Sequence, residues 1–514
     1  MSFADVLINN ILSASKKNSE QLTNALVDVA QTEYTSLQER LNAEQNKNNT
    51  VSKKVEDVLS VLEYAHLKIA IADGYDWTPV IQAALDIMSS LGKTVLAIPV
   101  GTYYFNKFLK TPSSITIFGA GKKTVFKALG NLNVNTSTGN NTGQFFEVHL
   151  VKDVRITNIY FDGQNFNAGA VCISGSTDVT VSHCYSYNSL VQAVTVANQG
   201  ASIPKNINIL FNVMENVLHG AQMWDAEDVL LLGNRVNKAK GGLWHAVSRK
   251  IRYLANYIEN CEDVGIDMEG GEDCLASLNV VRACKNGELT FFKGNANSKN
   301  YGKNLVFANN IVIATDTYTK RDGTSEACGF GALTVHSINE DATEGLVFKD
   351  NHVAVYGTRT GFYTNVLCAT TTGLCGVAFK SNKVYLKGAS TKAHKLQSCV
   401  GIEVDDNEFI FEEVNDSTSE FKNCFKGTGG NNRYRFKKGR SGTGYAVLLY
   451  TDISAADEFE FHNNKVKNAD QYALKIDAYQ NAGKDMFVVK RNDLSDKPVT
   501  NGGVFQTANY GLAL

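Results

Sequence analysis

Two residue types keep one period through the centre of this chain. Short apolar runs end in asparagine at Asn212, Asn234, Asn256 and Asn279, in steps of 22, 22 and 23 residues. Glycine keeps a second register at Gly220, Gly242, Gly265 and Gly287, in steps of 22, 23 and 22. A period near 22 holds about three short strands and three turns, none of which buries its apolar side alone; stacked rungs do. The motif continues at Asn310, Asn351, Asn382, Asn464 and Asn492, where steps of 31 and 41 mark loops inserted between strands. The pattern predicts an all-β solenoid. Asn and Gly tolerate left-handed backbone, so both are expected at its corners, in a structural role.

Residues 1–72 differ. They contain no proline or glycine, and apolar residues recur at helical steps: Leu22, Leu26 and Val29; Tyr34, Leu37 and Leu41; Val51, Val55, Val58 and Leu62. Polar Asn46–Asn49 divides the pattern into two predicted helices. A thin apolar stripe on a polar helix needs a partner, either in a coiled-coil stem between subunits or on its own chain. Beyond them, 42 glycines against 5 prolines suit many short strands and turns. A net charge of −2 gives no case for nucleic acid. No apolar run is long enough to span a bilayer and no signal peptide is apparent, so neither membrane insertion nor secretion is expected. The 10 cysteines form no C-x-x-C pair and read as buried thiols. No calcium or zinc motif is present, and no cofactor is expected.

Asp76-Trp77-Thr78 leads into Ile81-Gln82-Ala83-Ala84-Leu85-Asp86, then Ile98-Pro99-Val100-Gly101-Thr102-Tyr103. This segment resembles the start of pectate-lyase-like β-helices, including phage tailspikes. Ile115–Gly121 and Ile159–Gly163 look like the next rungs. The resemblance implies a right-handed parallel β-helix whose first helix caps the open end. With an N-terminal α-helical stem, it favours tailspikes over secreted plant-wall enzymes. It implies a homotrimer on the virion tail, joined to a phage tail or baseplate protein through the N-terminal helices and acting on bacterial surface polysaccharide. The expected organisation is a stem at 1–72, a cap at 73–110, the β-helix at 111–495 and a tail at 496–514. No catalytic signature of the family aligns.

Stacking the strands that follow the glycines locates possible chemistry. Alternate side chains of a strand face opposite ways. Ala221, Met223, Leu243, Ile266 and Met268 are apolar and are placed inward. The outward set is then Gln222, Trp224, Trp244, Asp267, Glu269, Leu289 and Phe291. It holds two of the chain's three tryptophans and two carboxylates on consecutive rungs. Aromatic faces pack on sugar rings, and a carboxylate pair performs glycoside hydrolysis. Asp267 and Glu269 are the candidate acid/base pair, with Trp224, Trp244 and Gln222 binding substrate. Asp225 and Glu227 are the reserve acids. His245 falls inward, as a core histidine.

A depolymerase acting as an endo-glycosidase is the leading reading. A polysaccharide lyase would want a basic side chain near the outer face, with Arg249 and Arg252 nearest in sequence. A non-catalytic glycan-binding adhesin would use the tryptophan face alone. The basic run Arg433, Arg435, Lys437, Lys438 and Arg440 reads as a solvated strand face, the other possibility being a groove for an acidic polysaccharide.

Overall fold

The computed structural model describes residues 57–501, apart from 135–141, 199–201, 294–301, 338–342, 367–373, 389–390, 413–418, 437–444, 452–458, 468–471, 479–486 and 495–498. Met1–Leu59 and Ser60–Leu514 are separate units. The predicted helices before residue 57 and the tail after 501 lie outside the described residues. The part of the helical pattern that is described is not α-helix. Val58–Ser60 and Ile69–Ile71 are strands, and Val61–Leu67 is a 3-10 helix. Ser60 and Glu63 form a reciprocal capping box that starts this tight helix afresh. Leu62, on the predicted stripe, is exposed.

The segment matched to β-helix caps behaves as its residues suggest. Asp76 Oδ1 accepts from the Thr78 amide at 2.9 Å and from its hydroxyl at 2.6 Å, which opens the helix Thr78–Met88. That helix buries Val80, Ile81, Ala84, Leu85 and Met88. The Tyr103 hydroxyl donates to the Pro99 carbonyl at 2.9 Å, closing the Pro-x-Gly-x-Tyr turn.

From there the chain is a parallel β-helix with three strands per turn. One central turn runs through Gly241–Ala246, Arg249–Leu254 and Tyr257–Cys261. Each strand pairs in parallel with its counterpart one turn on, as in Leu243 with Ile266, Tyr253 with Ala276, and Ile258 with Val281. Parallel pairing continues as far as Val499–Asn501. The interior is filled by like residues stacked in register. Ile207, Val229 and Ile251 form one such column, and all three are fully buried. Phe307, Phe348 and Phe379 form another, with ring centroids 4.6 and 5.0 Å apart.

The asparagines form a continuous buried ladder. Asn234 Oδ1 accepts from both the backbone amide and the side-chain amide of Asn212 at 3.0 Å, and its own Nδ2 donates to Ile209 O at 2.8 Å. The same contacts recur through Asn256, Asn279, Asn310, Asn351, Asn382, Asn407, Asn432, Asn464 and Asn492. The expected reason for asparagine is corrected here. The left-handed residue is the one before it: Phe211 at φ 54°, Gly233 at 66°, Ala255 at 51° and Leu278 at 60°. The asparagine follows that turn and feeds its amide inward to pair the turn's polar groups. The glycine register has a different cause again. A Cβ on Gly242 would lie 2.0 Å from the Gly265 carbonyl oxygen, so at Gly220, Gly242 and Gly265 close approach at the corner, not positive φ, selects glycine, while Gly287 is also at φ 140°.

Candidate functional site

Four parallel strands carry the candidate residues: His219–Trp224, Gly241–Ala246, Val264–Glu269 and Gly287–Lys293. Their register aligns Gln222 with Trp244, Trp244 with Asp267, and Asp267 with Thr290. Trp224 aligns with Ala246, and Ala246 with Glu269. Ala221, Met223, Leu243, Ile266 and Met268 are fully buried on the opposite side, as alternation requires. The two tryptophans and two carboxylates therefore share one outward face.

The predicted outward positions on the next rung are wrong. Leu289 and Phe291 are fully buried, because Gly287 pairs with Val264 and not with Gly265. This one-residue offset turns Thr290 and Phe292 outward instead.

Trp224 is 39% exposed, and its ring centroid lies 5.9 Å from that of Trp244. His219, from the same strand as Trp224, also stacks on Trp244, at 6.2 Å and 24°. The sequence reading missed this histidine, which stands at the start of its strand, ahead of the residues that were aligned. Burial holds its pKa down at about 4, so its ring is neutral near pH 7, and its Nδ1 has no partner. Gln222 accepts from the Gln192 side-chain amide, which extends the polar face one rung further.

The carboxylates are electrostatically unusual. Asp267 is 5% exposed, and its Oδ1 has no hydrogen-bond partner. Burial, then the nearby Glu269 and Asp263, push its pKa well above the ordinary carboxylate range. Glu269 is half-buried and raised to about 7, mainly by burial, with Asp263 adding to the rise and a hydrogen bond from the Trp244 side chain opposing it. Asp263 lies in the turn before their strand and accepts from Asn286 Nδ2 at 2.7 Å. Both carboxyls are therefore biased toward the protonated form, and the two titrate as a pair.

The reserve acids are placed differently. Asp225 is a turn residue at φ 49°, and its Oδ2 accepts from Asn198 Nδ2 at 2.7 Å. Glu227 begins the next strand, on another face, among Lys205, Arg249 and Lys250 at 3.3–3.5 Å. Those cations, the Lys250 hydrogen bond first, lower its pKa and keep it ionised. Arg249, the cation named for lyase chemistry, is occupied there too, and Arg252 pairs with Asp228 at 2.6 Å. His245 is a satisfied core histidine, with Nδ1 at 2.8 Å from the Tyr253 hydroxyl and Nε2 at 3.0 Å from Gly270 O. Arg433 and Arg435 are exposed while Tyr434 and Phe436 are buried, which is a strand with one solvated face; Lys437, Lys438 and Arg440 lie outside the described residues. Among the described residues there is no cluster fit to hold a metal, and no helix is long and apolar enough to cross a membrane.

No protein-family model and no curated protein matches the sequence. Solved structures do match. The tailspike protein of E. coli bacteriophage HK620 in complex with pentasaccharide aligns at TM-score 0.56 and 10% identity, over 88% of this chain and 82% of that one. A single-site mutant of that tailspike, also in complex with pentasaccharide, aligns at TM-score 0.58 and 11% identity, over 83% and 79%. The Dettilon tailspike protein aligns at TM-score 0.47 and 12% identity, over 79% and 70%. At such identities the likeness is one of architecture, and this chain has the parallel β-helix fold of the phage tailspike proteins.

Proposed function

We propose that this chain is a tailspike-like depolymerase that binds and cleaves bacterial surface polysaccharide, capsule or O-antigen, by glycoside hydrolysis. The observation that carries this reading is the carboxylate pair. Asp267 and Glu269 sit on the outward face beside Trp244 and Trp224, both with proton affinities raised by burial. Protonated Asp267 acts as the acid toward the glycosidic oxygen. Glu269, ionised above about pH 7, acts as base or nucleophile toward the anomeric carbon or an attacking water. Trp224 offers the exposed ring for a sugar face. That a tailspike of the same fold is held with a pentasaccharide supports a glycan as ligand. Assembly as a homotrimer on a virion tail through residues 1–72 belongs to the same reading, and light scattering on the intact chain should give three times the monomer mass.

The test is a panel of purified bacterial capsular and O-antigen polysaccharides, scored for new reducing ends. Asp267→Asn and Glu269→Gln should each lower turnover by about 10² or more while leaving the fold intact. If both keep near wild-type turnover, the pair is not the catalytic one. Products carrying the ultraviolet absorbance of an unsaturated sugar would assign a lyase instead. Binding without new reducing ends would assign an adhesin.

A further inference from the structure

The carboxylates divide the outward face in two. On the side of lower residue numbers lie Trp244, Trp224 and His219. On the other side lies a second aromatic group with no part in the chemistry above. Phe292 stands two residues beyond Thr290, the neighbour of Asp267 in register. His336 pairs with Phe292 in register, their ring centroids 4.9 Å apart. Phe330 comes from the turn before the next strand and lies 6.4 Å from His336 and 5.4 Å from Tyr363. Tyr363 pairs with Thr334, the register neighbour of Thr290. Lys395 Nζ stands 5.8 Å from the Tyr363 ring.

All four rings are half-buried and reach solvent. The core does not need them, because the inward row beneath is already filled by Leu289, Phe291, Leu333, Val335 and Phe362, each fully buried. The cluster is also held from below. Phe330 O accepts from Arg359 Nε at 2.7 Å, and the same buried guanidinium donates to Gly331 O, Thr315 O, Cys284 O and the buried Glu288. A buried ion pair is a weak source of stability but a firm positional anchor. Here it fixes both ends of the insertion that delivers Phe330.

We infer that Phe292, Phe330, His336 and Tyr363 form a second sugar-binding platform, taking pyranose units of the same polysaccharide on the far side of the carboxylates. Strands stack at roughly 4.8 Å, so the three steps from Asp267 to Tyr363 span about 14 Å, room for more than one sugar unit. Ring faces pack on the apolar faces of pyranoses, and Thr290 Oγ1, buried and without a partner, lies between the carboxylates and the platform to meet a hydroxyl. With platforms on both sides, the bond over the carboxylates lies inside a bound chain, and cleavage releases oligosaccharides. The inference takes its ligand from the function proposed above and is tested separately from its catalysis.

The experiment uses the full chain carrying Asp267→Asn and the same polysaccharide panel as probes. Affinity is measured for this parent and for added Phe292→Ala, Phe330→Ala, Tyr363→Ala or Trp244→Ala. Each of the first three should weaken binding of the long polymer about tenfold, as Trp244→Ala does, with melting temperature unchanged. Unchanged affinity in all three, with loss only in Trp244→Ala, overturns the second platform and leaves the carboxylate reading standing. If Asp267→Asn and Glu269→Gln both stay active while the three variants still bind weakly, the catalytic assignment falls and the platform holds. A drop in assembly mass without a change in affinity shows the rings packing against another copy, and overturns the inference. Failure of every polymer to bind the parent overturns both readings.

Discussion

Glu269 makes the proposed chemistry measurable without a substrate. Its pKa of about 7 in the folded chain stands above the ordinary 4.5. The native state binds the proton more tightly than the unfolded state, so this group's contribution is fully favourable below about pH 4.5. It is lost as pH rises through about 7. Glu269→Gln removes the titration while keeping an oxygen for the Trp244 hydrogen bond. The variant should be more stable than wild type at pH 8, by at most about 3 kcal/mol at 1.36 kcal/mol per pKa unit, and equal to it at pH 4. Parallel denaturation curves at the two pH values check this, and a variant that gains nothing at pH 8 would show that Glu269 titrates normally. Asp267 and Glu269 were legible in the sequence because period-2 alternation fixes which residues of a known strand face out. How far burial raises each was not, since that depends on residues packed from other rungs. His219 and Asp263 lie at the strand's start and in a turn, where alternation gives no guidance.

At the scale of the element, the ladder is the part the sequence marked most plainly, and asparagine's reason for being there is the part it hid. Left-handed backbone falls on Phe211, Ala255 and Leu278, residues no propensity would nominate. The asparagines are conspicuous because only their amide both donates and accepts along the stack. Asn256→Leu should remove the acceptor of the Asn234 backbone amide, one of the two bonds made by Asn234 Nδ2, and a donor to Leu231 O, at about 1–3 kcal/mol for each buried group left unpaired. Chemical denaturation should find a loss of several kcal/mol, where the same change at the exposed Asn106, outside left-handed backbone, should cost little. The glycine register failed at Gly287 for a comparable reason. A period counted on one residue type cannot see that the turn after Cys284 shifts by one residue, and the shift hid Phe292. The Arg359–Glu288 pair, 71 residues apart and enclosed in the core, left no local signal.

Across the whole molecule, rungs that touch only their neighbours should tolerate change in what hangs from them. The hairpin Thr317–Ala327 is held to the solenoid by contacts such as Arg321 with Glu262 and Lys285 with Glu326. Replacing 317–327 with a short turn should leave the circular dichroism of the solenoid intact and lower the melting temperature by only a few degrees, since its ion pairs to the solenoid are half-exposed and Tyr318 is its one buried large side chain. Loss of folding would show that the hairpin is part of the scaffold.

The ladder keeps bonds of 2.9–3.1 Å whether the next asparagine is 22 or 41 residues away. Chain length between rungs is therefore invisible to the spine. Loops between rungs can be lengthened, traded or discarded, and each trial begins from a backbone that has already folded.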